Sequence, residues 1–150
     1  MFRRILVATG GSPWSRNAVE TVVRLAAAWQ AEMLIVHILE DDPQYQPPGL
    51  ETSDPQFREE MAETGARILA QAAECVTQAQ MPYETVLHWG SIPEQIVRLA
   101  GEHQCELIVM GTRHLSGDKR LMTGRICNAV IATAPCPVLV VPLVQDLVGV

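Results

Sequence analysis

Leu107-Ile108-Val109-Met110-Gly111 is followed by Thr112-Arg113-His114 and, nine residues later, by Gly124-Arg125-Ile126-Cys127. The apolar run reads as a buried strand, placed at residues 107–110 and ending on glycine. A basic loop follows, and the second glycine opens an amphipathic helix over residues 124–133. Backbone N–H groups of such a loop, together with a helix N-terminus, form a receptor for phosphate. Between positions 111 and 125, Arg113, Lys119, Arg120 and Arg125 are opposed only by Asp118, in a chain whose net charge is −6. That local excess can hold phosphate through side chains as well.

Working outward, strand-like and helix-like patterns alternate. Residues 4–9 form a short apolar run, and Ser12-Pro13 then starts a helix, serine capping it and proline preset for its first turn. Val19, Val22, Val23, Ala26 and Trp29 follow at helical spacing. A second strand is expected over 32–39, and a long loop over 40–55, where Asp41, Asp42 and several prolines gather. Phe57, Met61, Gly65, Ile68, Ala72, Cys75 and Ala79 keep the rhythm of a long helix. A third strand is expected over 82–89. Ser91-x-x-Glu94 has the form of a capping box before a helix with Ile92, Ile96, Leu99 and Ala100 inward. Residues 137–143 supply a fifth strand. Strands separated by helices imply parallel pairing with helices on both faces of an α/β sheet. Ligands then bind beyond the C-terminal strand ends, where strand order reverses.

The chain has 150 residues, 48% of them apolar and only 5% aromatic, which suits one domain with an aliphatic core of buried parallel strands. Its acidity excludes nucleic acid and a membrane surface as partners. No run has the length of a signal peptide or a membrane span, so the expectation is a soluble, cytoplasmic protein. Cys75, Cys105, Cys127 and Cys136 show no metal or redox spacing and read as free thiols.

The order of these segments resembles the universal stress protein family over almost the whole chain. The likeness is carried by Ile5-Leu-Val-Ala-Thr-Gly-Gly-Ser12, Leu34-Ile-Val-His37, Gly90 through Ile96, and Pro137-Val-Leu-Val-Val-Pro142. It is carried also by the Gly-x2-Gly-x9-Gly-Ser/Thr pattern, of which Gly111 and Gly124 are kept. The resemblance implies a five-stranded parallel sheet of order 3-2-1-4-5, adenine nucleotide alpha hydrolase-like, usually a homodimer. It also implies a stress-response regulatory protein rather than an enzyme, binding ATP or AMP between strands one and four, with Mg2+ accompanying ATP. Carried over by position, the nucleotide site comprises Ala8, Thr9, Gly10, Ile38, Met110, Gly111, Thr112, Arg113, His114, Gly124, Arg125 and Ile126.

Three positions depart from the pattern. Gly10 stands where the family has an aspartate facing the nucleoside, His114 replaces the second glycine, and Arg125 replaces the Ser/Thr. Arg125 could fill the phosphate pocket as readily as serve it. The alternative is therefore a dimer that binds no nucleotide and acts through contacts with an unknown protein partner. A weak nucleotide hydrolase is disfavoured because no general base or metal carboxylate is identifiable.

The remaining motifs carry less. Thr9-Gly-Gly-Ser12 makes a strand-to-helix turn, since Pro13 and Trp14 replace the acid and serine of the pyrophosphatase loop it otherwise resembles. His37 reads as a satisfied strand histidine, and Trp89 as ordinary packing near the cleft rim. The last strand, Val138, Leu139, Val140 and Val141 with Leu143 extending the contact, is apolar on both faces at a sheet edge. An edge of that kind invites pairing with a second chain, and family dimers pair this strand.

Overall fold

The computed structural model describes residues 1–43, 49, 53–113 and 124–143. Its five strands are β1 (Arg4–Ala8), β2 (Glu32–Glu40), β3 (Tyr83–Gly90), β4 (Leu107–Arg113) and β5 (Val138–Leu143). They pair in parallel in the order β3-β2-β1-β4-β5, the order that the family resemblance implies. The four helices are α1 (Pro13–Ala26), α2 (Pro55–Gln78), α3 (Ile92–Glu102) and α4 (Gly124–Thr133).

β1 lies at the centre, and Ile5, Leu6 and Val7 have no solvent exposure at all. Residues buried on both sides of a strand need apolar side chains at every position, which is why the run does not alternate. Ile5 and Val7 meet Val19 and Val22 of α1 and Leu69 and Val76 of α2 in one apolar layer. Leu6 turns the other way, into a second layer with Ile96 and Leu99 of α3 and Val130 of α4. The period-two alternation of β1 thus feeds two separate cores.

The Thr9–Ser12 turn is knitted by its own hydroxyls. Ser12 caps α1, accepting the Ser15 N–H at 3.1 Å, while Ser15 Oγ donates to the Ser12 carbonyl at 3.0 Å. Pro13 follows in the first turn, as the sequence predicts. α1 ends earlier than the Trp29 spacing implied. Ala27–Trp29 is a 3-10 turn closed by Gln30 in the left-handed region, and Trp29 rests beside Phe2 at 5.9 Å between ring centroids. α2 starts on Asp54, whose carboxylate accepts the Gln56 N–H at 3.0 Å. Most of the expected loop between β2 and α2 lies outside the described residues.

Two expectations are corrected. The Ser91 hydroxyl makes no capping bond to α3. The first free N–H of that helix, on Ile92, donates instead to Glu40 Oε2 at 2.9 Å. A carboxylate arriving from the end of β2 is a stronger acceptor than a hydroxyl and complements the positive helix end. The second correction concerns β4, which does not stop at Met110. It pairs with β5 through Gly111↔Val141, Thr112↔Pro142 and Arg113↔Leu143, so ladder bonds carry it past the glycine. Smaller shifts of one residue affect the ends of β1, β2, β3 and β5.

Candidate functional site

At the C-terminal ends of β1, β2 and β4, where the strand order reverses, the chain encloses a cleft of about 690 Å³. Ala8, Thr9 and Gly10 reach it from β1 and its turn, and Ile38 from β2. Met110, Gly111, Thr112 and Arg113 enter from β4, and Gly124, Arg125 and Ile126 from the first turn of α4. Of the site residues that the resemblance implies, only His114 lies outside the described residues. Segments more than a hundred positions apart in the chain thus line one cavity.

The lining of the cleft is mixed. Val36, Ile38, Ile92, Ile96 and Met110 contribute aliphatic side chains. Arg113 and Arg125, both exposed residues, line it as well, the latter in the first turn of α4. Arg113 lies 6.0 Å from the centroid of the Trp14 ring, whose helix begins at the turn after β1. Aliphatic side chains that share a cleft with two arginines and a helix N-terminus suit a ligand that combines a planar ring with phosphate.

Gly111 lines the cleft and also meets a packing constraint. A Cβ at this position would lie 2.6 Å from the Trp14 carbonyl carbon and 2.9 Å from the Ser15 nitrogen. Both are backbone atoms that cannot step aside, so the glycine lets β4 approach the start of α1. Gly124 is the opposite case. Its φ is +81°, in the left-handed region, and a Cβ there would meet open space.

Several lining residues escaped the sequence reading. Glu40 is one, because an acid after a strand reads as solvated loop. It is only 8% exposed, and its carboxylate accepts N–H bonds from Ile92 and from Asp42, each at 2.9 Å. Burial pushes its pKa up, and the two N–H bonds pull against that without reversing it. Trp14 and the Ile92/Ile96 pair also line the cleft; the last two were placed in the core by their i, i+4 spacing. His37 does stand satisfied, with Nδ1 2.7 Å from the Thr9 carbonyl oxygen. A carbonyl only accepts, so Nδ1 carries the proton. Cys127 faces the cleft, but burial raises its thiol pKa and it donates to the Gly111 carbonyl at 3.9 Å. A thiol held neutral in this way is a poor nucleophile. Trp89 packs under Arg58, whose guanidinium carbon lies 3.7 Å from the ring centroid.

Glu40 provides a pH test. Its folded pKa lies above the ordinary carboxylate value. Its favourable contribution to stability is therefore full below that ordinary value and is lost as pH rises through the folded pKa. The stability difference between the parent and Glu40→Gln should consequently shift towards the glutamine variant as pH rises from the ordinary carboxylate range towards neutrality, as read by urea unfolding at each pH. A difference that stays flat across that range would show that burial of this carboxylate carries no net cost.

A parallel sheet in this order, with its cleft at the switch point, is the adenine nucleotide alpha hydrolase-like fold. The family model described as the universal stress protein family matches residues 1–142. Universal stress protein YxiE of Bacillus subtilis is 33% identical over 150 residues, covering 94% of this chain and 99% of that protein. A universal stress protein family member from Burkholderia pseudomallei superposes with a TM-score of 0.72 at 26% identity, over 93% of this chain and 96% of the other. A universal stress protein in complex with cAMP gives 0.65 at 23% identity, over 93% and 96%. One from Archaeoglobus fulgidus in complex with dAMP gives 0.67 at 20%, over 92% and 96%. The chain belongs to the universal stress protein family.

Proposed function

We propose that the cleft binds an adenine nucleotide, ATP or AMP, and that occupancy regulates what the protein contacts. The observation that carries this reading is the joint lining of one cavity at the switch point: aliphatic side chains including Ile38 and Met110 together with Arg113, Arg125 and the first turn of α4. The cAMP and dAMP complexes of structurally similar family members support it. In this reading the ring packs on Ile38 and Met110, and phosphate lies against Arg113, Arg125 and the α4 N–H groups. Mg2+ arrives on the phosphates of ATP, since the described residues hold no cluster of three potential ligands. The protein acts as a binding module and not as an enzyme, in the cytoplasm, as a homodimer paired through the β5 edge.

The competing reading, a dimer that binds no nucleotide, is favoured by one specific observation. Gly10 lines the cleft at the end of β1 with no side chain at all, where the family pattern supplies a carboxylate. Calorimetric titration of the nucleotide-stripped protein with ATP, ADP, AMP and cAMP, with and without Mg2+, separates the two. Saturable binding of at least one nucleotide is expected. Flat titrations from folded protein would retire the nucleotide reading and leave protein contacts as the function. In that case Gly10→Asp, which adds a side chain where nothing lies within 4 Å of the Cβ, should restore binding.

A further inference from the structure

The second free edge of the sheet is β3, and its composition is symmetric about its own centre. Tyr83, Glu84, Thr85, Leu87 and His88 are all exposed, and among the described residues nothing pairs with the outer side of this strand. The direction of its backbone can be read from its two ends. The Pro82 carbonyl accepts from Met33 N–H at 2.9 Å, and the Gly90 carbonyl accepts from Asp41 N–H at 3.3 Å. In a parallel ladder the bonding direction alternates along the strand. The even-numbered residues therefore turn their backbone groups to β2. Tyr83, Thr85, Leu87 and Trp89 turn theirs outward, four donors and four acceptors with no ladder partner among the described residues.

We infer that β3 is a self-association edge that pairs antiparallel with the β3 of a second copy of this chain, on a two-fold axis at Val86. This register sets Thr85 against Leu87 and Tyr83 against Trp89, all with outward backbone groups, so the whole strand is hydrogen-bonded. Glu84 then falls opposite His88 twice, once on each side of a central Val86–Val86 pair. These are the non-hydrogen-bonded positions, where side chains stand closest. The imidazole N–H of one copy donates to the carboxylate of the other. Moving the axis to Thr85 or Leu87 keeps the backbone compatible but sets Glu84 against Val86 or Gly90 and loses both polar pairs.

The two faces agree with this register. Leu87 lies against Gly65 of α2, which puts the odd-numbered residues on the α2 side. There the pairing brings Tyr83 to Trp89, whose ring already carries Arg58 on it. Val86 packs against the α3 layer, so Glu84, Val86 and His88 form a row on that side. An exposed apolar and aromatic edge of eight residues is a pairing hazard unless it is blunted by lysine, proline or a bulge. β3 has no lysine and no proline. Nothing in this inference depends on the cleft or its ligand.

The test uses the full chain. Cα atoms at a non-hydrogen-bonded antiparallel pair stand about 4.5 Å apart, within the span of a disulfide. V86C treated with oxidised glutathione should form a dimer joined through residue 86, identified by peptide mass. T85C, which faces position 87, should not join to itself. Pairing through β5 cannot yield the 86–86 link, so the two edges are told apart. Sedimentation equilibrium supplies a second readout that needs no added thiol. H88E sets two carboxylates against each other and should weaken self-association about tenfold or more, and E84K in the same chain should restore it. Absence of the 86–86 link together with association unchanged by H88E would overturn the inference, as would a chain that stays monomeric throughout. A T85C self-link would overturn the register.

Discussion

Gly111→Ala should be the most damaging single-methyl substitution in the described chain. Its Cβ would be driven to within 2.6 Å of the Trp14 carbonyl carbon and 2.9 Å of the Ser15 nitrogen. Neither atom belongs to a flexible side chain. Relief requires β4 and the first turn of α1 to separate, and with them the bonds by which Ser12 and Ser15 close the turn. Overpacking against backbone places the loss on the order of 3 kcal/mol, or a fall in melting temperature of roughly 6–12 °C for a chain of this size. Gly10→Ala, with nothing within 4 Å of its Cβ, should stay within about 0.5 kcal/mol of the parent. Gly124→Ala should fall between the two at about 1–2 kcal/mol, because its cost is a left-handed backbone and not a collision. Urea unfolding of the three variants ranks them. If Gly111→Ala costs no more than Gly10→Ala, close approach is not what requires glycine at this position.

The second large effect concerns ligand and not fold. Arg113→Ala should weaken ATP binding by roughly 10- to 100-fold, the worth of one or two hydrogen bonds to a charged group. Adenosine, which has no phosphate, should bind the variant and the parent alike. Arg113 is exposed at the cleft rim, so its removal leaves the core untouched and the melting temperature near the parent's. The loss should shrink as salt is raised, since screening already weakens the parent's contact. Titration of both proteins with ATP and adenosine provides the check. Equal losses for the two ligands would move the role of Arg113 from phosphate to cleft shape. Arg125→Ser reports on its neighbour: lower affinity means that Arg125 holds phosphate, and higher affinity means that it fills the phosphate pocket itself.

Much of this architecture was legible in the chain because it rests on local, periodic signals. Residues 5–7 had to be buried on both faces, since no polar residue interrupts them, and such strands occur in parallel sheets covered by helices. Ser12-Pro13 announced a helix start that the structure realises atom by atom. Ser91 illustrates the limit of such signals. Its capping-box spacing is correct, yet the helix N-terminus is served by Glu40, more than fifty residues earlier in the chain. Glu40 itself carried no sequence signal, because an acid beside Asp41 and Asp42 looks solvated until β2 and β3 are paired and its carboxylate is enclosed.

Gly111 marks the same boundary. Its fit to a phosphate-binding pattern was visible as a spacing, but the backbone of α1 that a side chain there would strike was not.

The sequence by itself determined the alternation of strands and helices, the aliphatic composition of the two cores and the membership of the family, because periodicity and segment order are properties of the chain. The tertiary structure alone decided which groups share the cleft, what caps α3, why position 111 has no side chain and which backbone groups of β3 face outward. Those depend on distances between segments far apart in the chain, and such distances exist only after the strands have been ordered side by side.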